Sequence, residues 1–402
     1  MKNNLEELTQ LQTPCYVFDE AACVDRAIRI RQEAGKWGGK LCFAIKANPF
    51  LIPALIPIVD KFEVCSPGEL EICRKYKVPG GKILFSGVVK TREDMEKALA
   101  YPVDVITLES VHHWELLKDA LKEGLSDETD QCVKVMPRLS SGAQFGMELS
   151  QMEHILMEAA DMKNIRVEGI HYFTGTQKKG KQYEKEIKRA LQWMEELEKK
   201  FSLEDVILEY GPGLAVPYFN GDNFERPYGL IENLRDFILA EKPSHRIDIE
   251  LGRYLAASCG EYVTRIVDVK SADERNYCLV DGGIHQVNYY GSNMAMRTPV
   301  IEYVPAGNKT DSLLLNQERE YMICGSLCTF ADILARGILL PSPEIGDCLV
   351  FENIGAYSVT EGSYLFLSHA LPEIYIKQQD GQIRKVRNAQ ESWLINSVDD
   401  QV

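Results

Sequence analysis

Short apolar runs alternate with stretches of helical periodicity along the first two-thirds of the chain. Eight such runs lie near residues 41–45, 61–65, 82–86, 103–107, 132–138, 166–172, 205–210 and 246–250. Helical periodicity separates most of them, at 91–100, 111–123, 150–161 and 181–201. Because buried strands that are joined by helices form parallel sheets, this alternation predicts an α/β fold, a (β/α)8 barrel over residues 26–260.

After residue 260 the pattern changes to short strands separated by turns that are rich in glycine. These strands are predicted at 262–269, 276–280, 321–324, 348–351 and 374–376. Turns of this kind typically join antiparallel strands, so residues 261–402 predict a C-terminal antiparallel β domain, either a barrel or a sandwich. The apolar segment 14–18 predicts one more strand, which adds residues 1–25 to this domain.

Composition narrows the class of protein. The 402 residues carry a formal net charge of −15 without any block of lysine and arginine, which argues against a nucleic-acid partner. No apolar run is long enough to span a membrane, and the first residues lack the pattern of a secretion signal. Eleven cysteines are too sparse for a disulfide scaffold and fit no common zinc spacing. We therefore expect a reduced, cytoplasmic protein that binds no metal.

Lys46 carries the first chemical signal. It closes the apolar run 41–45 and is followed by Asn48 and Pro49, which mark a turn. In a parallel barrel this is the end of the strand where active sites lie. A desolvated lysine loses its proton more easily, so it can form a Schiff base with an aldehyde cofactor. Taken alone, such a lysine more often reaches the surface.

Polar side chains and glycines follow the other predicted strands, and in a barrel they converge on one rim. They are Glu63, Ser66, Arg138, His171, Thr174, Gly211, Gly213, Glu250 and Arg253. The glycine turn and Arg253 suit a phosphate. Glu250 suits a pyridine nitrogen, although an ion pair with Arg253 is an equal alternative. His171 suits a flat ring, although a lone histidine is more often structural.

Two segments of the β domain also suggest chemistry. Cys328 and Asp332 share one short loop after a predicted strand, and a partly exposed thiol is a competent proton donor. Tyr357 follows a glycine turn, where its phenol suits a phosphate or a substrate. Without further context, both segments are more typical of packing.

Eight segments, taken in order, carry a resemblance that covers roughly residues 12 to 380. They are FAIKANP, FEVCSPGEL, HYFTGTQ, GPGLAVPY, ELGRY, VDGGIHQ, GSLCTFAD and NIGAY. Together they resemble the alanine-racemase-fold (fold type III) decarboxylases that depend on pyridoxal 5'-phosphate, the family of diaminopimelate and ornithine decarboxylases. The resemblance implies a carboxy-lyase that removes the α-carboxylate of an amino acid.

The resemblance also implies roles for the rim residues of the barrel. Lys46 forms the Schiff base with pyridoxal phosphate, and Glu63 supports this lysine. His171 stacks on the cofactor ring and Glu250 binds its nitrogen. The remaining implied cofactor contacts are Ser66, Arg138, Thr174 (in place of a family serine), Gly211, Gly213 and Arg253.

In the β domain, the resemblance implies that a partner subunit inserts the Cys328 loop into the active site, so the protein is a homodimer. Cys328 is then the proton donor and Asp332 a substrate contact, while Tyr357 meets the cofactor phosphate. Lys46, Cys328, Glu250 and His171 are the implied catalytic residues.

Departures from the family pattern bear on the substrate. Pro212 replaces a glycine of the phosphate loop and has no N–H to donate. Residues 328–330 read Cys-Thr-Phe where diaminopimelate decarboxylases have Cys-Glu-Ser, so a charge is absent. We therefore expect a modified or carrier-linked amino acid of specialised metabolism rather than meso-diaminopimelate. Arg297 is the candidate for a distal substrate carboxylate, and the alternative is a surface arginine.

Two other functions fit the same fold. An amino acid racemase shares the barrel and the lysine, but racemases of this fold tend to set an arginine against the pyridine nitrogen, where this chain has Glu250. A non-catalytic regulatory homologue usually loses the lysine or the cysteine, and both Lys46 and Cys328 are present.

Overall fold

The computed structural model describes residues 5–124, 132–222, 226–289, 296–306 and 318–398. The chain divides into two compact units. One comprises Val24–Val216 and Glu225–Leu255, and the other comprises Met1–Cys23, Pro217–Phe224 and Ala256–Val402. Among the described residues no helix is long and apolar enough to cross a bilayer.

A parallel sheet forms the first unit. In the described part of the chain its nine strands are Leu41–Ala44, Lys61–Val64, Ile83–Phe85, Val105–Leu108, Val133–Pro137, Ile165–Val167, Gly169–Phe173, Ile207–Gly211 and Ile247–Leu251. The sheet closes on itself. Across the seam, Arg138 forms a β-bridge with His171 and the Leu139 N–H donates to the His171 carbonyl over 2.9 Å. The prediction of a barrel is confirmed.

One predicted strand is divided in two. The run 166–172 becomes Ile165–Val167, which pairs with Val133–Pro137, and Gly169–Phe173, which pairs with Ile207–Gly211. Between them the Glu168 N–H donates to the Val135 carbonyl. Because of this break, one chain segment pairs with two different strands, Val133–Pro137 and Ile207–Gly211. The eight predicted runs therefore give nine strands.

Helices connect the strands much as the periodicity predicts. The α-helices are Leu5–Leu8, Glu20–Gly35, Ile52–Leu55, Pro67–Lys75, Arg92–Ala100, Val111–Gly124, Leu149–Ala160, Gln182–Phe201, Gly229–Glu241 and Arg253–Ala256. The helix Gln182–Phe201 buries one stripe of side chains that includes Ile187, Ala190 and Met194. Such a stripe, repeated at helical spacing, is what a helix packed on a sheet requires.

A buried ion cluster fills part of the barrel interior. Lys61 Nζ donates to Glu209 Oε2 over 2.6 Å and to Asp248 Oδ2 over 2.9 Å, and all three side chains are almost wholly buried. Arg246 Nε adds a further contact to Asp248 at 3.0 Å. The two carboxylates offset the cost of burying the ammonium and raise the pKa of Lys61 despite its desolvation.

Replacing Lys61 with alanine therefore leaves two buried carboxylates without their shared cation. We expect the free energy of unfolding to fall by about 3–5 kcal/mol. Urea unfolding followed by circular dichroism measures this loss. Lys134→Ala is the matched control, because Lys134 lies on another barrel strand and pairs with Asp104 at 2.7 Å while a third of its side chain is exposed. Its loss should cost less than about 1 kcal/mol, and an equal cost for both variants would contradict the role of the cluster.

The second unit is a mixed β sheet. Its nine strands, within the ranges described, are Cys15–Asp19, Gly260–Ala272, Arg275–Val280, Ile301–Val304, Glu318–Cys324, Ile333–Pro341, Cys348–Phe351, Glu373–Lys377 and Ile383–Arg387. Most pairs are antiparallel, as predicted. Two are parallel, the pair Cys15–Asp19 with Glu373–Lys377 and the pair Arg275–Val280 with Glu318–Cys324. The core of this unit includes Val17, Val263 and Val350.

Candidate active site

Lys46 and Glu63 form an ion pair at the carboxyl end of two neighbouring strands. Lys46 lies in the 3-10 helix Ile45–Ala47, which directly follows the strand Leu41–Ala44. Its Nζ donates to Glu63 Oε2 over 2.7 Å. The Lys46 side chain is 40% exposed, whereas that of Glu63 is 4% exposed. The amine is thus held by a buried carboxylate but remains open to a small molecule.

Two carboxyl groups, those of Glu63 and Glu250, lie close to this amine and to each other. Burial alone would raise the pKa of Glu63, but the charge of Lys46 and hydrogen bonds from Glu250, Cys65 and Lys46 lower it to about 2. Burial, and then repulsion from Glu63, raises the pKa of Glu250 well above its usual range. Glu250 therefore keeps its proton and donates it in a hydrogen bond to the Glu63 carboxylate. The barrel holds one acidic proton beside one fixed negative charge.

His171 lies deep in the barrel, against Glu250. Its Nε2 is 3.1 Å from Glu250 Oε2, and both side chains are almost completely buried. Burial, together with the charge of Arg138, lowers the pKa of His171 to about 4, so the ring is neutral near pH 7. The buried Nδ1 has no hydrogen-bond partner among the described residues. Because most buried polar atoms are hydrogen-bonded, this nitrogen is a candidate contact for a bound group.

Arg138 lies beside His171, directly after the strand Val133–Pro137. Its Nη1 donates to Glu109 Oε1 over 2.6 Å, and both side chains are buried. The guanidinium lies 5.2 Å from the ring centre of Phe145 and 6.0 Å from that of Phe173. The charge of Arg138 is therefore balanced inside the protein, and the guanidinium also lies near two aromatic rings.

The glycine turn is shaped by close approaches. A Cβ at Gly213 would collide with the Gly175 carbonyl oxygen, and the φ of +57° at Gly213 also favours glycine. A Cβ at Gly211 would collide with the ring of Phe173. The turn 211–213 therefore packs closely against the segment that follows His171, and Thr176 lies next to Gly213. Arg253 begins the helix Arg253–Ala256 just after the last barrel strand.

Two predicted cofactor contacts use their hydroxyl groups within the protein. Ser66 Oγ accepts from the Glu69 N–H and caps the helix Pro67–Lys75. Thr174 Oγ1 accepts a hydrogen bond from Lys178, whose Nζ also lies 2.6 Å from Glu186 Oε2. The roles predicted for these two residues stay predictions.

Within the β unit, the predicted residues have the following surroundings. The thiol of Cys328 is exposed. The buried Asp332 accepts from the backbone N–H groups of Ile284 and Leu327, at 2.8 and 2.7 Å, so it fixes the loop that carries Cys328. Tyr357, two residues after Gly355, adopts a φ of +70°. Arg297 pairs with Asp222 at 2.9 Å and is partly exposed. Their roles toward cofactor and substrate stay predictions.

Four residues at the barrel rim were not found from the sequence. Cys65, Glu109 and Phe173 contact the predicted residues, and Lys90 is a second lysine of the rim. Lys90 is buried, donates to the Gly87 carbonyl over 2.7 Å, and burial lowers its pKa to about 8. Each follows or ends a predicted strand, so their positions could have been noted. Their contacts depend on how the strands are staggered in the closed barrel.

These donors and acceptors fit pyridoxal phosphate. An accessible amine suits its aldehyde, and the protonated Glu250 suits a ring nitrogen that becomes protonated. His171 Nδ1, which has no hydrogen-bond partner among the described residues, and the close backbone approach at Gly213 offer contacts to a ring and a phosphate. Such a cofactor requires a lysine amine together with groups that bind its ring and its phosphate, and the barrel rim supplies both.

Comparison with known families agrees with this fit. Residues 21–257 match the family model described as the pyridoxal-binding domain of pyridoxal-dependent decarboxylases. Among solved structures, the diaminopimelate decarboxylase of M. jannaschii superposes with a TM-score of 0.84 at 20% identity, covering 99% of this chain and 95% of that one. At that identity the superposition shows the fold.

Three curated relatives are similar over most of their length. The diaminopimelate decarboxylase of Campylobacter jejuni is 24% identical over 94% of both chains. An L-glutamyl acyl-carrier-protein decarboxylase of Niallia circulans is 27% identical over 81% of this chain and 79% of its own. A 2-((L-alanin-3-ylcarbamoyl)methyl)-2-hydroxybutanedioate decarboxylase of Staphylococcus aureus is 25% identical over 84% and 88%.

Proposed function

This chain belongs to the family of pyridoxal-dependent decarboxylases, and from that premise we propose that it acts on a modified or carrier-linked amino acid of specialised metabolism. The protein is a carboxy-lyase that uses pyridoxal 5'-phosphate and removes the carboxylate of an amino acid. The observation that carries the proposed active site is the contact of Lys46 with Glu63 beside a protonated Glu250.

Each rim residue then has a definite task. Bound pyridoxal phosphate draws electrons away from the substrate α-carbon, so that carbon dioxide can leave. Lys46 would hold the cofactor covalently, and Glu63 fixes the amine in place. Glu250 would supply the proton for the ring nitrogen, and His171 contacts Glu250. Gly213 and Arg253 would receive the phosphate.

The Cys328 loop supports a homodimer. Cys328 and Phe330, two residues further along the loop, are both exposed, and Phe330 is fully so, which is unusual for a large apolar side chain. Asp332 fixes the base of this loop. In the proposed dimer, Cys328 of each subunit enters the site of the other and donates a proton to the α-carbon, while Tyr357 contacts the phosphate. Sedimentation velocity tests this, since a single-chain mass would contradict it. A cytoplasmic location likewise stays a prediction.

The substrate proposal depends on a missing charge. Thr329 and Phe330 replace the Glu-Ser pair that follows the cysteine in diaminopimelate decarboxylases. Thr329, which stands in place of the glutamate, carries no charge that could pair with the distal ammonium of diaminopimelate, and leaving that group unpaired costs binding energy. Relatives from Niallia circulans and Staphylococcus aureus act on a carrier-linked glutamyl group and on a hydroxybutanedioate derivative. Arg297 is the proposed partner of a distal carboxylate, which would have to displace Asp222.

A substrate panel tests the proposal. The protein loaded with pyridoxal phosphate is incubated with meso-diaminopimelate, L-ornithine, an L-glutamyl thioester of pantetheine and the hydroxybutanedioate derivative. Carbon dioxide release and optical rotation are followed together. We expect one of the two modified substrates to exceed meso-diaminopimelate in kcat/KM by about 10²-fold or more. The highest value for meso-diaminopimelate would overturn the proposal. Loss of optical rotation without carbon dioxide release would indicate an amino acid racemase. Cofactor binding without turnover of any substrate would indicate a regulatory homologue.

A further inference from the structure

Cys65 lies between the two charged groups at the centre of the proposed active site. Its Sγ is 3.3 Å from Lys46 Nζ and 3.0 Å from Glu63 Oε1. Cys65 follows the strand Lys61–Val64 and stands two residues after Glu63, so both side chains point to the same side of that segment. The sequence places Cys65 at the end of a predicted strand but does not indicate that it contacts charged groups.

The backbone of Cys65 is fixed from two directions. Its N–H donates to Glu69 Oε2 over 2.7 Å, and Glu69 belongs to the helix Pro67–Lys75. On the other side Gly87, at a φ of +97°, approaches so closely that a Cβ there would collide with the Cys65 carbonyl oxygen. The backbone position of Cys65 is therefore fixed, which keeps the thiol within reach of Lys46 and Glu63.

The thiol can act as a donor because it stays protonated. Burial, and then the negative charge of Glu63, raises the pKa of Cys65 well above its usual range. The S–H therefore donates to Glu63 Oε1, while Lys46 donates to the sulfur. Glu63 Oε2 receives Lys46 at the same time. Both oxygens of the Glu63 carboxylate are thus occupied, and the group cannot turn away from the amine.

We propose that Cys65 is a positioning residue that fixes the Glu63 carboxylate against Lys46 and so sets how firmly the Lys46 nitrogen holds a proton. This proposal rests on the proposed function, in which Lys46 holds the cofactor. Cys65 does not touch the reacting atoms of the substrate in this role. A hydrogen bond to a charged group is stronger than one between neutral groups, so even a weak thiol donor has a measurable effect.

The test compares Cys65→Ala, which removes the donor, with Cys65→Ser, which keeps one. In the cofactor-loaded protein, the visible absorbance of the bound cofactor is titrated with pH. We expect Cys65→Ala to lower the midpoint of this absorbance titration by about 0.5–1 pH unit. A Glu63 carboxylate that is held less firmly stabilises the protonated Lys46 nitrogen less. Cys65→Ser should restore most of the shift. Cys73→Ala is the control, since Cys73 is buried in the helix that follows, and its midpoint should not move.

A second measurement keeps the two proposals apart. In the cofactor-free protein, the pH dependence of acetylation of Lys46, read by peptide mass spectrometry, reports the proton affinity of the same nitrogen. We expect Cys65→Ala to move this midpoint to lower pH as well. If wild type binds no cofactor and yet this midpoint moves, the proposed function fails and the role of Cys65 stands. If wild type binds the cofactor and neither midpoint moves in Cys65→Ala, the role of Cys65 is overturned.

Discussion

Replacing Lys46 with alanine abolishes covalent attachment of pyridoxal phosphate and lowers the rate of decarboxylation by about 10⁴-fold or more. Lys46 has the accessible amine at the rim, held by a buried carboxylate at 2.7 Å. Without it the cofactor has only non-covalent contacts and its aldehyde is not activated. The visible absorbance of the loaded protein and the release of carbon dioxide measure the two losses.

Lys40→Ala is the matched control for this variant. Lys40 immediately precedes the strand Leu41–Ala44, so it lies at the opposite end of the strand that leads to Lys46, and it is exposed. We expect it to bind the cofactor and turn over substrate as wild type does. A Lys46→Ala protein that keeps its visible absorbance and activity would remove the basis of the proposed active site.

Glu250→Gln should lower kcat by about 10²–10³-fold while the protein still binds the cofactor. The amide keeps the shape of the carboxyl group but has no acidic proton to give to a ring nitrogen, so it cannot keep that nitrogen protonated. Stopped assays of carbon dioxide release give kcat, and absorbance gives cofactor binding. Glu241→Gln, which removes only a partly exposed ion pair with Lys188 at 2.8 Å, is the control. Full activity of Glu250→Gln would contradict the assigned role.

The same variant has a stability signature in the cofactor-free protein. The folded pKa of Glu250 is raised, so the stability linked to its protonation is present at low pH and lost as pH rises through that pKa. Glutamine resembles the protonated carboxyl group at every pH. We therefore expect Glu250→Gln to gain free energy of unfolding relative to wild type as pH increases, and urea unfolding at several pH values to show this.

The strands of the barrel could be predicted from the sequence because each is an apolar run that ends at a polar turn. The same runs predicted that Lys46, Glu63, His171 and Glu250 meet, since the carboxyl ends of parallel strands share one rim. Contacts of this kind follow from topology alone. Glu63 contacts Lys46, and Glu250 lies within hydrogen-bonding distance of His171.

Contacts that depend on stagger or on turn direction could not be predicted. Lys61 meets Glu209 and Asp248, which are 148 and 187 residues away along the chain, only once the barrel is closed. The hydroxyl of Thr174 is oriented toward Lys178 by the path of the turn through Gly175. Cys65 resembled a core cysteine because periodicity does not report which polar groups lie opposite a side chain.

The β unit was less predictable than the barrel. One of its two parallel pairs joins strands near the two ends of the chain, Cys15–Asp19 and Glu373–Lys377. The strand Ile333–Pro341 was not predicted, because part of it is exposed and its apolar residues do not form a compact run. Hydrophobic alternation identifies a half-buried strand but not its partner.

The identity of the lysine that holds the cofactor tests the central claim most directly. The loaded protein is reduced with borohydride, digested, and each peptide weighed for the mass of the reduced cofactor. We expect the added mass on the peptide that contains Lys46, at one cofactor per chain. Added mass on the peptide that contains Lys90, another lysine of the rim, or on no peptide at all, would contradict the assigned active site.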